Sequence, residues 1–357
     1  MIMTGLYILL GALLLDLLAG EAPNRFHPVA WLGKFISLQL RLVPAGGNVR
    51  QFIYGASMVI LTTTIITVPL YFLKCYCEAT AAAAAICPLP DTGLLRHFVP
   101  RNDEMGGEAA AAAAAIYPVA GYLQNLTTLA YILFSIYLLK NTFSLRGLWQ
   151  AVQKVKTSLA GGDLVKARWH ANALVSRKTE NLSREQVISA AIESCSENLC
   201  DSFIAPLFYF ALFGLPGAVA YRIVNTFDAM IGFHGKWEYT GKFAARFDDI
   251  LNFIPARLSG LFIVLASAIC RAGVAGSWRT MLSQHGRTES PNAGWTMSAM
   301  AGSLGITLEK PGAYSLHGGG RELTLSAITH SQQIVVVAAA IWATLVTGIE
   351  VLIGVTG

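Results

Sequence analysis

Long apolar stretches alternate with polar connections along this chain, a pattern that predicts membrane-spanning helices. A helix needs about 20 mainly apolar residues to cross the hydrocarbon core of a bilayer. The clearest stretches are residues 2–18, 52–73, 116–139, 258–269 with its flanks, and 334–355. A sixth, 203–224, is interrupted by GLPG at 214–217, so it either spans, kinks or re-enters. We therefore predict an all-α, polytopic integral membrane protein with five to six membrane segments.

The segment between residues 140 and 202 is more polar and predicts helices outside the membrane. Its helical periodicity breaks at Gly-Gly-Asp 161–163, which predicts a helical hairpin. Ser183, followed three residues later by Gln186, predicts a capping box at the start of a further helix. The segment is rich in Lys and Arg, which favours the cytoplasmic face. By alternation, the alanine-rich residues 74–115 form an extracytoplasmic insertion within one membrane-embedded domain, residues 1–357.

The composition agrees with a membrane protein and argues against other classes. Hydrophobic residues make up 54% of the chain and charged residues only 13%, unlike a typical soluble domain. The formal net charge of +5 is modest, and no Lys/Arg block with interleaved aromatic residues occurs, so nucleic acid is not an expected partner. The six cysteines show no CxxC spacing, so neither a zinc site nor a disulfide framework is predicted.

Three carboxylates share one face of the helix predicted to follow Ser183. Glu193, Glu197 and Asp201 are spaced i, i+4 and i+8. Like charges at this spacing repel by about 0.2–0.5 kcal/mol per pair. A divalent cation, a partner Arg or Lys, or a raised carboxyl pKa would relieve the repulsion. The alternative is a solvated helix face that ends at the membrane.

Further polar clusters lie in or against apolar sequence, where ionisable groups are costly and mark functional sites. Arg222, Asn225 and Asp228 are spaced i, i+3 and i+6. The other candidates are Asp248, Asp249, Asn252 and Arg257 in RFDDILNFIPARL, His27 in NRFHPVAWLG, and Ser290 and Asn292 in ESPNAGW. Several acidic and amide groups repeated in separate segments indicate one polar site built from distant parts of the chain.

Consecutive blocks of the sequence resemble the CobD/CbiB family, the adenosylcobinamide-phosphate synthases of cobalamin biosynthesis. The blocks are DLLAGEAPNRFHPVAWLGKFI, LVSRKTENLSREQVISAAIESCSENLCDSFIAPLFY, GLPGAVAYRIVNTFDAMIG, ARFDDILNFIPARL and ESPNAGWTMSAMAGSLGITLEKPGAY. The resemblance implies a ligase of the bacterial inner membrane that depends on ATP and Mg²⁺. It would join the free propionate of adenosylcobyric acid, a corrinoid, to aminopropanol or its phosphate. Other late membrane enzymes of the pathway are implied partners.

The residues can be matched to the needs of that reaction. A carboxylate is a poor acyl donor, so ATP-driven amide formation normally passes through an acyl phosphate or acyl adenylate, with held phosphates and stabilised charge. As catalytic residues we predict Glu193, Glu197 and Asp228, and as Mg²⁺ ligands Glu197, Asp201, Asp248 and Asp249. As substrate- or phosphate-binding residues we predict Arg177, Thr179, Asn198, Arg222, Asn225, Asn252, Arg257, His27, Ser290 and Asn292.

Nucleotide binding is not visible as a motif. No GxxxxGK[ST] P-loop occurs, and Gly318–Gly320 has no strand pattern before it.

The alternatives to a ligase are a non-catalytic, AmpE-like membrane sensor or transducer, a corrinoid-binding membrane protein, and a transporter. Because ATP and corrinoid intermediates are cytoplasmic, we predict a cytoplasmic active site. Either a reversal in 203–224 or an atypical neighbouring helix would keep both acidic groups on that face.

Overall fold

The computed structural model describes residues 3–86, 125–175, 177–233 and 235–356 of the 357-residue chain. Its helices are α1 (Thr4–Ala19), α2 (Pro28–Gln39), α3 (Asn48–Ile86), α4 (125–140), α5 (Leu145–Ala160), α6 (Leu164–Asn172), α7 (Arg184–Leu199), α8 (Ala205–Ile231), α9 (Glu238–Leu251), α10 (Phe253–Ile269), α11 (Val274–Gln284), α12 (Ala293–Leu304) and α13 (Leu325–Thr356). Single 3₁₀ turns lie at Leu40–Leu42 and His285–Arg287, and a π-helical turn lies at Cys200–Ile204. Two strands, β1 (Thr307–Lys310) and β2 (Tyr314–His317), form an antiparallel hairpin.

The described helices confirm an all-α, multi-pass membrane protein. By length and composition, four helical stretches could cross a membrane: Asn48–Ala79, Asn125–Ala160, Arg184–Ile231 and Leu325–Thr356. The pair α9 and α10, bent by 49°, adds a fifth if it forms one span. Helix α1 is apolar but has only 16 residues, about 24 Å, so it is shorter than the other candidate spans.

The alanine-rich insertion is described only at its start. Helix α3 continues through the first alanine run to Ile86, as expected for the best helix-forming residue. The rest of the predicted insertion, and the first part of the span predicted at 116–139, lie outside the described residues.

The polar segment before the acidic helix folds as the sequence predicts. Helices α5 and α6 are separated by the Gly-Gly-Asp break, and the Asp163 side chain accepts the Lys166 N–H as the N-cap of α6. The capping box of α7 is complete, because Ser183 Oγ accepts the Gln186 N–H and Gln186 Oε1 accepts the Ser183 N–H. Arg184 Nη1 also donates to the Leu159 carbonyl at the end of α5, which fixes the two helices side by side.

Helix α8 reverses direction at the GLPG sequence. Gly214 has φ 68° and ψ −158° and breaks the helix. The rings of Tyr209 and Tyr221 stack with their centroids 5.3 Å apart. In a straight helix the twelve-residue step from Tyr209 to Tyr221 would separate these rings by about 18 Å. The chain therefore folds back on itself, which agrees with the predicted reversal in 203–224.

A buried ion pair joins α1 to α4. Lys140 Nζ lies 3.1 Å from Asp16 Oδ1, and the two side chains are 4% and 3% exposed. Asp16 Oδ2 also accepts the backbone N–H of Arg146, whose guanidinium donates to the carbonyl oxygens at the end of α1. Asp16 therefore has a structural partner, and removing either charge would leave the other one buried and uncompensated.

The β hairpin was not predicted. Its register pairs Thr307 with His317, and Gly312 in the turn has φ 77°. The expectation that no strand precedes Gly318–Gly320 was wrong, because a four-residue strand paired only to its neighbour has too few alternating positions to recognise. The Glu309 N–H donates to Ser189 Oγ of α7 at 2.9 Å, so the hairpin lies on the acidic helix.

Candidate active site

A cavity of about 1100 Å³ lies where α7, α8, α9, the start of α12 and the β hairpin meet. Both predicted acidic groups line it, because the reversal of α8 returns its second half to the end of α7. The predicted site residues that line this cavity are Arg177, Glu193, Glu197, Asn198, Asp201, Arg222, Asn225, Asp228, Asp248, Asp249, Asn252, Ser290 and Asn292. The structure thus brings most of the predicted site together in one place.

The carboxylate of Glu193 is fully engaged with its neighbours. Its Oε1 accepts from Ser189 Oγ at 2.6 Å and from Arg177 Nη2 at 3.3 Å. Its Oε2 accepts from the Tyr314 hydroxyl at 2.7 Å. Burial and the Glu193 charge raise the pKa of Tyr314, so this hydroxyl remains a donor. Glu193 is 3% exposed, and its carboxylate accepts three hydrogen bonds. It is therefore suited to holding the hairpin and the Arg177 side chain against α7.

Glu197 and Asp201 lie one and two turns further along and face the same cavity. Glu197 interacts electrostatically with Glu193 and with the cation Lys310. Asp201, in the π-helical turn, interacts with Asp248 of α9. Among the described residues, none donates a hydrogen bond to the Glu197 carboxylate. Its oxygens are therefore available to a cation or a substrate proton.

Asp248 belongs to a buried hydrogen-bonded network between α8 and α9. Its Oδ1 accepts from Asn225 Nδ2 at 3.4 Å, and its Oδ2 accepts from Asn252 Nδ2 at 2.8 Å. Asn252 Oδ1 in turn accepts from the Tyr221 hydroxyl at 2.9 Å. Asn225 Oδ1 accepts from Arg222 Nη1 at 3.2 Å. Such a network holds the polar wall of the cavity in one arrangement.

Asp249 lies beside the start of α12, and Asp228 lines the same cavity. A Cβ atom added at Gly232 would lie 1.9 Å from Asp228 Oδ1, so the glycine leaves room for this carboxylate. Asn292 Nδ2 donates to the backbone carbonyl of Asp249 at 2.8 Å, and Ser290 Oγ accepts the Asn292 N–H at 3.2 Å. No described residue donates a hydrogen bond to the side chain of Asp228 or Asp249. Both carboxylates are thus open to a ligand.

Arginine side chains supply the opposite charge. The Nε atoms of Arg177 and Arg222 are buried and have no hydrogen-bond partner within the described ranges. Guanidinium groups bind phosphate and carboxylate with paired donors. Both arginines therefore have unused donors for an anionic ligand. Three further cations line the cavity: Lys242, Arg246 and Lys310.

Three predicted binding residues do not line the cavity and have structural contacts instead. Thr179 is 3% exposed and its Oγ1 donates to the Arg168 carbonyl at 2.8 Å. His27 is the N-cap of α2. Arg257 lies 3.5 Å from the ring centroid of Phe253 and donates to its own helix. The structure does not support substrate contact by these three side chains.

The sequence reasoning missed Tyr314 and Lys310, which reach the cavity from the hairpin. Lys310 Nζ lies 2.7 Å from Glu289 Oε2, and this pair links the hairpin to the loop before α12. The signal was present in EKPGAY, where a Pro-Gly turn signal separates polar residues from an aromatic one. Lys242 of α9, also missed, lies one turn before Arg246 on the side of α9 that faces the cavity.

The predicted Mg²⁺ ligands do not form a preassembled cluster. Across the described ranges, no three His, Cys, Asp or Glu side chains converge closely enough to hold a metal ion. Both oxygens of Asp248 are already used by amides, whereas Glu197 has free oxygens. Mg²⁺ commonly binds one or two carboxylates and completes its shell with substrate phosphates and water. Glu197 and Asp201 fit this arrangement.

Comparison with known proteins agrees with the resemblance. A sequence model described as CobD/Cbib protein matches residues 92–344. The cobalamin biosynthesis protein CobD of Dehalococcoides mccartyi (strain CBDB1) is 41% identical over 344 residues, which cover 96% of this chain and 97% of the relative. A probable cobalamin biosynthesis protein CobD of Methanothermobacter thermautotrophicus is 37% identical over 88% of this chain and 87% of its own length.

No solved structure matches the chain. A third relative, the probable cobalamin biosynthesis protein CobD of Methanocaldococcus jannaschii, is 33% identical over 87% of this chain and 88% of its own length. These matches extend over most of the sequence and confirm the resemblance. The chain belongs to the CobD/Cbib protein family.

Proposed function

We propose that this protein is a membrane-bound ligase of cobalamin biosynthesis. It joins the free propionate of adenosylcobyric acid to the amine of aminopropanol or aminopropanol phosphate and yields adenosylcobinamide or its phosphate. ATP drives the reaction with Mg²⁺. Relatives named as cobalamin biosynthesis proteins support the pathway, and the chemistry of the cavity supports an amide-forming step.

One observation carries the proposal. Within the described part of the chain, the Glu197 and Asp228 carboxylates that line the cavity accept no hydrogen bond, and Arg177 and Arg222 have unused donors. ATP-driven amide formation needs ligands for a phosphate-bound cation, donors for anionic groups and an acceptor for the amine proton. A protein that only bound a corrinoid would not need this set.

The reaction assigns a role to each group. A propionate oxygen displaces ADP from the γ-phosphoryl group of ATP, or pyrophosphate from the α-phosphoryl group, and the amine then displaces phosphate or AMP. Arg177 and Arg222 orient the anionic groups, and Glu197 and Asp201 hold the metal. When bound, Mg²⁺ neutralises charge on the phosphate oxygens. Asp228 accepts the amine proton as the new C–N bond forms.

The reaction belongs at the cytoplasmic face of the bacterial inner membrane. ATP and the corrinoid substrate are cytoplasmic, and Lys and Arg are concentrated in 140–202, beside the cavity. Other late membrane enzymes of the pathway would deliver the substrate or receive the product.

The test is amide synthesis by the purified protein in detergent, with adenosylcobyric acid, aminopropanol phosphate and ATP-Mg²⁺. We expect amide product together with ADP or AMP, and the nucleotide identifies the activated intermediate. Asp228→Asn should lower kcat by about 10²–10⁴-fold, the usual contribution of a general base. Glu197→Gln should raise the Mg²⁺ concentration for half-maximal rate by about tenfold or more, as weakened metal sites do.

A matched control is Glu180→Gln, which changes an exposed glutamate in the loop before α7. It should leave both the rate and the Mg²⁺ requirement unchanged. Wild-type protein that binds the corrinoid but forms no amide would contradict the ligase and favour a corrinoid-binding or AmpE-like transducing protein.

A further inference from the structure

Asn292 presents a buried acceptor that nothing in the described protein uses. The residue is 6% exposed and lines the cavity at the start of α12. Its Nδ2 donates to the Asp249 carbonyl at 2.8 Å. Its Oδ1 is buried and has no hydrogen-bond partner among the described residues.

The orientation of this amide is fixed by its partner. A backbone carbonyl can only accept, so the atom that faces the Asp249 carbonyl must be the amide nitrogen. The remaining oxygen can only accept a hydrogen bond. An unsatisfied buried acceptor destabilises the protein, so a donor on a ligand would bind there with a gain in stability.

The neighbouring side chains determine which donor fits. Asp228 and Asp249 line the same cavity as Asn292, and the Asp249 charge acts electrostatically on Asp228. The nearest cation on α9 is Arg246, which acts on Asp249 but is exposed at the surface. An amide oxygen and two carboxylates in one cavity offer acceptors and negative charge, and this environment suits a group with several N–H donors and a positive charge.

We propose that Asn292 Oδ1, with Asp228 and Asp249, binds the primary ammonium group of the amine substrate. This inference rests on the proposed ligase function and assigns the amine to the α12 end of the cavity. Asn292 then recognises the amine, whereas the sequence pattern had suggested substrate or phosphate binding in general. Arg177 and Arg222, whose Nε atoms have no partner among the described residues, remain for the anionic groups.

The test compares two substitutions that both remove Nδ2. Asn292→Ala removes the acceptor, whereas Asn292→Asp keeps one. In amide synthesis, we expect Asn292→Ala to raise the KM for aminopropanol by about 10- to 100-fold, as for a lost hydrogen bond to a charged group. The KM values for ATP and adenosylcobyric acid should stay within about twofold. Asn292→Asp should recover most of the loss.

The control is Ser283→Ala on α11, because this exposed serine bonds only to carbonyls of its own helix. It should leave the aminopropanol KM unchanged. Equal KM values for Asn292→Ala and wild type would overturn the inference. So would an Asn292→Asp protein that is as impaired as Asn292→Ala, because the lost donor to Asp249 would then explain both.

A binding measurement separates this inference from the proposed function. Trp295 lies one turn along α12, so tryptophan fluorescence can follow titration with 1-amino-2-propanol and with propane-1,2-diol, which lacks the amine. Selective amine binding that is lost in Asn292→Ala, without amide synthesis by wild type, would keep the inference and reject the ligase. Amide synthesis with an unchanged amine KM in Asn292→Ala would keep the ligase and reject the inference.

Discussion

The His27 imidazole closes the first turn of α2. Its Nδ1 accepts the Val29 N–H at 3.2 Å, which requires that this nitrogen carry no proton. Burial lowers the pKa of His27 below 6.5, and the cations Lys140 and Arg222 act in the same direction against Glu21. Because the unfolded chain then binds protons more readily, this contribution to stability is complete above about pH 6.5 and is lost below it.

We therefore expect the melting temperature of wild type in detergent to fall relative to that of a variant without this imidazole as the pH is lowered from about 7.5 to 5.5, through the ordinary pKa of histidine. His27→Asn keeps an N-cap oxygen without a titratable ring and should reduce this pH dependence. The exposed His330 provides the control, because His330→Asn should follow wild type. A pH profile unchanged by His27→Asn would assign the effect to other groups.

Glu193 and Glu197 show what residue patterns can and cannot predict. Their spacing on one face of α7 was readable from the sequence, and both line the cavity. Their different environments were not readable from the sequence, because Tyr314, 121 residues away from Glu193, donates a hydrogen bond to Glu193 and not to Glu197. The position of Thr179 away from the cavity was not readable for the same reason, since its contact with the Arg168 carbonyl depends on how a loop packs.

Among the elements, the reversal of α8 depends most on one residue. Gly214 has φ 68° and ψ −158°, a region that side chains with a Cβ avoid. We expect Gly214→Ala to destabilise the protein by about 1–3 kcal/mol, measured as a lower melting temperature in detergent. A weakened reversal would also move Arg222 and Asp228 away from Asp201, so ligase activity should fall.

Gly348→Ala in α13 is the matched control. A Cβ atom there meets nothing within 4 Å, and alanine is favoured over glycine in a helix by about 1 kcal/mol. This variant should melt at or above the wild-type temperature. Equal melting temperatures for the two alanine variants would contradict the strained reversal.

Elements set by local chemistry were predictable, and those set by distant contacts were not. The capping box of α7, the Gly-Gly-Asp break and the GLPG interruption each depend on neighbouring residues. The π-helical turn at Cys200–Ile204 has no comparable local signal, and the β hairpin has a Pro-Gly turn signal but strands of only four residues. Both shape the cavity, so its outline required the folded structure.

On the scale of the whole molecule, α13 extends from the side of the protein that carries the cavity to the far end of the helix bundle. Its 32 residues extend over about 48 Å. Near its start, Gln332 Nε2 donates to the Trp149 carbonyl of α5. Near its end, Glu350 lies against Gly5, at the start of α1, where an added Cβ would be 2.1 Å from the carboxylate. We therefore expect the cavity side and the end of α13 to face opposite sides of a bilayer.

This arrangement predicts the pattern of cysteine labelling. Single cysteines are introduced into a protein without its native cysteines. Lys242→Cys reports on the cavity. Val165→Cys reports on α6, where Val165 is 75% exposed, and Val355→Cys reports on the end of α13, where Val355 is 74% exposed. A membrane-impermeant maleimide should label Val355→Cys in intact cells and the other two only in inverted vesicles. The basic segment 140–202 favours this orientation.

Labelling of Lys242→Cys in intact cells would contradict a cytoplasmic site, because ATP could not reach it. Labelling of Lys242→Cys and Val165→Cys from different sides would contradict the shared face that the reversal of α8 creates.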